Sequence, residues 1–264
     1  MRRRLDVELV RRGLVPSRTR AAQAIDAGRV LVGGAPASTA ARQVDGREAI
    51  ALLAEAGPAY VSRGGHKLSG ALDAFALDVA GRWAVDVGSS TGGFTDCLLQ
   101  RGAAHVYAID VGRAQLAWSL RCDDRVTVME RTNVRDLGAG ALDPPPSLCV
   151  ADLSFISLRT VAPKLLTLTT DDADFVLLVK PQYEAGRARL GRGGIVRDPE
   201  VHAAVLHEVV AGLDEAGLGV RSVAPSALRG ADGNVEFLVH ARRGRATVAP
   251  DALDEAVRRT QVES

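Results

Sequence analysis

Lysine is almost missing from this 264-residue chain. Of 33 basic side chains only Lys67, Lys164 and Lys180 are lysines, and arginine supplies every other. A position that keeps lysine is a candidate for work arginine cannot do, such as losing a proton or acting as a compact point charge. Cysteine is scarce too. Cys97, Cys122 and Cys149 are odd in number and widely spaced, which argues against a disulfide framework or a zinc site and fits a reducing compartment. The five histidines lack metal spacing, and His202 and His207 read as ordinary surface positions on a helix. No apolar run reaches the roughly 18–20 residues of a membrane helix. The charged start, Met1-Arg-Arg-Arg-Leu-Asp6, has no apolar signal region behind it. These absences predict a cytoplasmic protein with no membrane partner and no metal.

The charge that is present is unevenly placed. Residues 1–42 carry nine Arg against Asp6, Glu8 and Asp26, a surplus of six, so a net charge of +1 leaves a mildly acidic remainder. A cationic head on such a body suits a nucleic-acid grip, the alternative being a solvated arginine-rich surface. Within the head, Leu5–Gly13 reads as a short amphipathic helix stopped by glycine. Ser17 caps a second helix that ends at Gly28, and Arg29–Val32 is a strand turned by Gly33-Gly34. This order gathers Arg11, Arg12, Arg18, Arg20 and Arg29. Further short strands are expected in residues 35–57, and Gly57-Pro58 marks a linker over 58–62.

From Arg82 the pattern changes to alternating strands and helices. A helix from Lys67 to about Ala76 precedes apolar strands at Trp83–Val87, His105–Asp110, Val126–Met129, Leu148–Asp152, Phe175–Val179 and Val235–Val239. Helices at Phe94–Arg101 and Glu200–Ala216 fall between them, and a last one covers about Asp251–Val262. Such alternation predicts a mainly parallel sheet covered on both faces, with ligands at the carboxyl ends of its strands.

The sharpest motif is Asp86-Val-Gly-Ser-Ser-Thr-Gly-Gly-Phe94, between the first of these strands and its helix. It is neither a Gly-x-Gly-x-x-Gly series nor a P-loop. It resembles the first motif of S-adenosylmethionine-dependent methyltransferases, which makes Asp86, Gly88, Ser89, Ser90, Thr91, Gly92, Gly93 and Phe94 cofactor-binding candidates. Asp110, about 20 residues further on, is placed to accept from ribose hydroxyls. Asn133, after the third strand, would lie near the adenine. For each alone a turn or cap is the competing reading. Asp143-Pro-Pro-Pro146 precedes its strand and lacks an aromatic, so it reads as a rigid turn rather than an amine-methylating motif.

Asp152 follows the fourth strand and Lys180 the fifth, while Glu236 lies on a later strand and Lys67 opens the helix before the sheet. Lys67, Asp152, Lys180 and Glu236 resemble the Lys-Asp-Lys-Glu tetrad of FtsJ-type ribose 2′-O-methyltransferases. That resemblance implies Lys180 as general base, Asp152 orienting it, and Lys67 and Glu236 holding the hydroxyl. A structural ion-pair network is the alternative. Lys164 reads as surface.

Several longer stretches agree: Val-Ser-Arg-Gly-Gly-His-Lys-Leu68, Gln115-Leu-Ala-Trp-Ser-Leu120, Glu130-Arg-Thr-Asn133, Ala151-Asp-Leu-Ser-Phe-Ile-Ser157, Leu178-Val-Lys-Pro-Gln182 and Gly233-Asn-Val-Glu236. Nearly end to end the chain resembles the TlyA family. The resemblance implies an α/β fold: a Rossmann-like class I methyltransferase domain over 63–264 behind a small α+β S4-type RNA-binding domain over 1–57. It implies S-adenosylmethionine as cofactor and 2′-O-methylation of cytidine in 16S and 23S ribosomal RNA, within small and large subunits, by a monomer. In some members this activity confers capreomycin sensitivity. Arg3, Arg4, Arg11, Arg12, Arg18, Arg20, Arg29 and Arg63 are the RNA-binding candidates. The linker departs from the family: Pro58-Ala-Tyr-Val61 stands where mycobacterial relatives have Arg-x-Trp-Val. A membrane-lytic protein, after the family's hemolysin label, and a non-catalytic ribosome-assembly factor remain as alternatives.

Overall fold

Buried apolar side chains form three clusters, one within residues 1–59 and two within 60–264, and the chain divides into two compact units at that point. The computed structural model describes residues 2–26, 28–37, 39–53, 60–230 and 233–262.

Unit 1 runs β1 (Arg2–Arg4), α1 (Leu5–Arg11), α2 (Arg18–Asp26), β2 (Val30–Val32), β3 (Ala35–Pro36), β4 (Gln43–Asp45) and β5 (Ile50–Leu52). Leu5 and Leu9, one turn apart on α1, share a core with Ala21 and Ile25, spaced alike on α2, and with Val30, Val32 and Val44. Ser17 Oγ accepts from Arg20 N at 3.2 Å, as a cap should. The strands form a β1–β4 pair and a β3-β2-β5 sheet, all antiparallel. The arginine surplus is partly internal to this unit. Arg4 and Arg18 bond the buried carboxylate of Asp6, and Arg11 and Arg12 bond that of Glu8, with Arg3 3.8 Å from it.

Unit 2 runs α3 (Arg63–Ala74), β6 (Trp83–Val87), α4 (Gly93–Gln100), β7 (His105–Ile109), α5 (Trp118–Arg121), β8 (Val126–Met129), β9 (Leu148–Ala151), α6 (Leu158–Leu168), β10 (Asp174–Val179), α7 (Pro181–Glu184), α8 (Pro199–Glu215), β11 (Leu218–Pro225), β12 (Phe237–Arg243) and α9 (Pro250–Val262). Its sheet has the order β11-β12-β10-β9-β6-β7-β8. β8 to β10 in that row are parallel, and β12 is antiparallel to both neighbours. All six residues of β10 are buried because both faces are covered. Val176 and Leu178 pack with Leu68 and Leu98 of α3 and α4, while Phe175, Leu177 and Val179 pack with Leu165, Val205 and Leu253 of α6, α8 and α9. The chain leaves β6 toward β7 and returns to β9 on the other side, so the switch point lies between β6 and β9.

Four expectations need correction. β12 begins at Phe237, not Val235, so Glu236 precedes the strand instead of lying on it. Asn234 Oδ1 accepts from Val196 N at 3.0 Å and the Glu236 carboxylate bonds Lys67, which turns this segment aside from the ladder. Strand β11, broken by a register shift between Val220 and Ser222, was not expected. His202 is buried, its Nε2 3.0 Å from the Val196 carbonyl, rather than at the surface. Lys164 is half-buried and donates to the Leu137 carbonyl at 2.7 Å. Of the expected linker, Pro58 and Ala59 lie outside the described residues. Tyr60 is buried in unit 2, and Val61 N donates to Asp96 Oδ2 at 2.7 Å.

Arg11 first and then Arg12 hold the Glu8 carboxyl down at about 2, against an ordinary 4.5. A depressed folded value gives stability that is present above the unfolded value and is lost as pH falls toward 2. Glu8→Gln is expected to lower the melting temperature of unit 1 at pH 7 and to flatten its decline between pH 5 and 2.5. A variant that melts like the parent across that range would show that these ion pairs do not stabilise the fold.

Candidate active site

The site grows from the end of β6. Gly88 N and Ser89 N both donate to the Ile109 carbonyl, at 2.8 and 3.1 Å, which ties the loop to the end of β7. Gly92 N donates back to Ser89 O at 2.7 Å and closes the turn before α4. Gly88 has φ +84°, and a Cβ there would stand 2.5 Å from the Asp152 carbonyl oxygen. Only glycine lets the loop and the end of β9 lie this close. Ser90 is also left-handed, at φ +47°. Its N–H donates to Asp110 Oδ2 at 2.8 Å, and Gly112 N donates to Oδ1 of the same carboxylate at 2.6 Å.

Two cavities open at this carboxyl edge. The larger, about 620 Å³, is lined among others by Gly88, Ser90, Asp110, Asn133 and Asp152. The smaller, about 110 Å³, is lined by Ser89, Thr91, Gly93, Phe94 and Lys67, and it shares Gly88, Ser90 and Asp152 with the first. Asp86 and Gly92 line neither. Asp86 is fully buried beneath the loop and accepts from Thr95 Oγ1 at 2.6 Å. Gly92 faces Leu116 and Leu120, which leave no space for a Cβ. Asn133 lines the large cavity, and its Oδ1 accepts from Arg135 N at 3.1 Å to cap a 3-10 turn.

The four tetrad residues form two ion pairs. Lys180 Nζ lies 2.5 Å from Asp152 Oδ1 and 3.1 Å from Ser154 Oγ, at the ends of adjacent parallel strands. Lys67 Nζ bonds Glu236 Oε2, and both residues are buried. Lys67 and Asp152, one member of each pair, line the same small cavity, whereas Lys180 and Glu236 line neither cavity. Removing one partner of a buried pair strands the other's charge, at a cost of about 3–5 kcal/mol. Lys67 and Glu236 are therefore positioned as a unit.

The larger cavity fits S-adenosylmethionine. Its volume lies in the range of small-molecule sites, roughly 300–1,000 Å³. Asp110 lines the cavity, each of its carboxylate oxygens accepting one backbone N–H and keeping a lone pair for a further donor, and the glycine loop leaves room at Gly88. Asp86 Oδ1 is buried without a hydrogen-bond partner, beneath the loop and outside both cavity walls. Burial, with Asp152 and Asp110 adding smaller repulsions, pushes the Asp86 carboxyl up to about 7.

Sequence reasoning missed part of the lining. Val111, Gln115, Arg135, Ser154 and Phe155 also border the large cavity. Phe155 is 89% exposed at φ +64°, with its ring centroid 5.0 Å from that of Tyr183. Its signal lay inside the quoted Asp152-Leu-Ser-Phe155 run. Arg63 donates to the Arg229 carbonyl at 2.6 Å, and among the described residues no group of three or more His, Cys, Asp or Glu is arranged for a metal.

A seven-stranded sheet with one antiparallel strand, a glycine loop after β6 beside the switch point and an acidic residue after the neighbouring β7 defines a Rossmann-like methyltransferase. An FtsJ-like methyltransferase model matches residues 60–243, and an S4 domain model matches residues 3–50. The chain is 49% identical to the 16S/23S rRNA (cytidine-2′-O)-methyltransferase TlyA of Mycobacterium tuberculosis, covering 98% of this chain and 97% of that one. It is 30% identical to the 23S rRNA (cytidine-2′-O)-methyltransferase TlyA of Campylobacter jejuni, over 69% and 70%. A solved structure from Streptococcus thermophilus, described as a hemolysin, covers 99% of this chain and 96% of its own at 39% identity, with a TM-score of 0.79. The chain belongs to the TlyA family, in which an S4 domain accompanies an FtsJ-like methyltransferase domain.

Gly88→Ala is expected to weaken S-adenosylmethionine binding about tenfold or more by calorimetry, since left-handed strain of roughly 1–3 kcal/mol adds to the clash with Asp152. Unchanged affinity would mean that the loop does not carry the cofactor. For Asp86 the folded value is raised, so its stability contribution is full below about 4 and is lost as pH climbs toward 7. From pH 5 to 7 that loss is on the order of 2 kcal/mol. The melting temperature of Asp86→Asn, measured without cofactor, should rise relative to the parent over that interval; a constant difference would contradict a protonated Asp86.

Proposed function

We propose that this protein transfers a methyl group from S-adenosylmethionine to the ribose 2′-hydroxyl of cytidine in 16S and 23S ribosomal RNA. It would act as a cytoplasmic monomer on small and large ribosomal subunits. The observation that carries the reading is that one member of each lysine–carboxylate pair lines the small cavity, which shares a wall with a cavity fit for the cofactor. The substrate is that named for the M. tuberculosis relative.

In this reading the loop from Gly88 to Phe94, with Asp86 beneath it, holds the methionine end of the cofactor, Asp110 holds the ribose hydroxyls and Asn133 borders the adenine. The cofactor supplies a methyl carbon on a positively charged sulfur, already activated toward a nucleophile. What this chain must add is an oriented, deprotonated ribose oxygen. Lys180 Nζ, once its own ammonium proton has passed to solvent, would take the 2′-hydroxyl proton while the methyl carbon moves from the cofactor sulfur to the ribose oxygen. Asp152 and Ser154 fix the direction of that nitrogen. Lys67 would donate from its ammonium to the hydroxyl oxygen, and Glu236 would hold that ammonium in place.

Unit 1, as the S4-type domain of residues 1–57, grips RNA phosphates. Arg4, Arg11 and Arg18 are exposed although each bonds a carboxylate, and a guanidinium has further donors to spend. Arg3, Arg20 and Arg29 extend that surface, and Arg63 stands at the start of α3. Arg12 is the exception in degree. It bonds Glu8 and the carbonyls of Glu48 and Gly46, which gives it chiefly a structural part.

The test is transfer of labelled methyl from S-adenosylmethionine to unmodified small and large subunits, with nuclease mapping of the product. Label on a ribose 2′-oxygen in both, abolished in Lys180→Ala while cofactor binding persists, is the expected result. Label on a base, or none on either subunit, would overturn the assignment.

A further inference from the structure

Glutamate side chains are rarely buried unless they are paired or hydrogen-bonded. Glu184, the last residue of α7, is only 5% exposed, where α7 packs against the segment that leaves β9. Its carboxylate is spent on that segment: Oε1 accepts from Leu158 N at 2.7 Å and Oε2 accepts from Ser157 Oγ at 2.6 Å. Ser157 Oγ in turn accepts from Arg159 N and from Arg159 Nε, each at 3.2 Å. Both of its lone pairs are thereby used, and its one proton points at Glu184. Arg159 Nε stands 3.6 Å from the carboxylate, too far for a hydrogen bond. Ser157 is the N-cap of α6 and Leu158 its first residue, so Glu184 closes the positive end of a helix to which it does not belong.

The two segments joined in this way are the ones that carry the reacting pair. Residues 152–157 run from the end of β9 to α6, and residues 180–184 follow β10. The β9–β10 ladder ends at Ala151 and Leu177, three residues before Lys180, and side-chain contacts take over from it. Lys180 meets Asp152 and Ser154, the Tyr183 ring lies 5.0 Å from that of Phe155, and Glu184 meets Ser157 and Leu158. Asp152 and Phe155 are open to solvent to different degrees, whereas the contact at Glu184 is buried. It is the closed end of the seam, and Lys180 stands at the other.

We propose that Glu184 is a positioning residue for methyl transfer: its carboxylate ties α7 to the start of α6 and so holds Lys180 at its working distance from Asp152. The proposal rests on the reading of Lys180 as the base. Glu184 touches neither substrate nor cofactor and acts through the spacing of the two segments. A displacement of about 1 Å at a reacting group can cost roughly a hundredfold in rate. The place requires a carboxylate because both of its partners, Leu158 N–H and Ser157 O–H, are donors. An amide of the same size has one acceptor oxygen and must turn its own N–H groups against one of them.

The test uses the full chain and single-turnover transfer of labelled methyl to unmodified ribosomal subunits, with subunit concentration varied at saturating cofactor. In Glu184→Gln the maximal rate should fall about ten- to a hundredfold, while the half-saturating subunit concentration and the cofactor affinity stay within about threefold. Ser157→Ala removes one of the same bonds from the other side and should cause a loss of the same kind; it carries the comparison if Glu184→Gln does not fold. The two together should lose no more than about threefold beyond the worse of them. On a Lys180→Ala background Glu184→Gln should cost less than about twofold further, because a missing base cannot be misplaced. Leu253→Ala, a buried truncation on α9, should melt earlier than the parent yet keep its rate. Glu184→Gln and Ser157→Ala at the parental rate would overturn the positioning role, as would an equal loss from Glu184→Gln on the Lys180→Ala background, the mark of a general loosening. Lys180→Ala at the parental rate would instead overturn the base reading on which the proposal rests.

Discussion

Much of the site depends on one close approach, between Gly88 and the carbonyl of Asp152. The first belongs to the loop after β6 and the second to the end of β9, adjacent parallel strands on either side of the switch point. Because no side chain stands between them, the cofactor cavity and the smaller cavity beside Lys67 share a wall. Asp152 then pairs with Lys180 from the next strand, and both fall where parallel-strand topology puts any ligand. A larger residue at 88 would separate what the chemistry needs joined.

Charge follows the same logic. Two lysines face two carboxylates, so the site is balanced before a cationic cofactor arrives. Glu236 and Lys67 satisfy each other in a buried setting, where a lone charge would be costly. Asp86 differs: it has no basic partner, and burial favours its protonated form at the pH where most proteins work. Its one unpartnered oxygen lies beneath the loop, outside both cavity walls.

The sequence announces much of this and hides some of it for physical reasons. Strands such as Phe175–Val179 are legible because burial on both faces requires continuous apolar runs. The loop from Asp86 is legible because its glycines stand where backbone must pass backbone. β11 was hidden by Gly219, Arg221 and a register shift, which break any simple alternation. The start of β12 was misplaced because Val235 is as apolar as a strand residue, while Asn234 and Glu236 on either side are held by tertiary bonds. Glu8 stands three and four residues before Arg11 and Arg12, the spacing of helical ion pairs, a signal that charge counting passed over.

The scarcity of lysine frames the central claim, that Lys180 is retained because the reaction needs a nitrogen able to give up and take back a proton. Lys180→Arg keeps the positive charge and can still bond Asp152, yet arginine does not deprotonate in proteins. Single-turnover methyl transfer by this variant, with cofactor affinity measured in parallel, separates the two roles. The account predicts a rate at least about a hundredfold lower with cofactor binding intact, the loss expected for removal of a general base. A rate close to that of the parent would contradict it, and would leave Lys180 as a positioning charge alone.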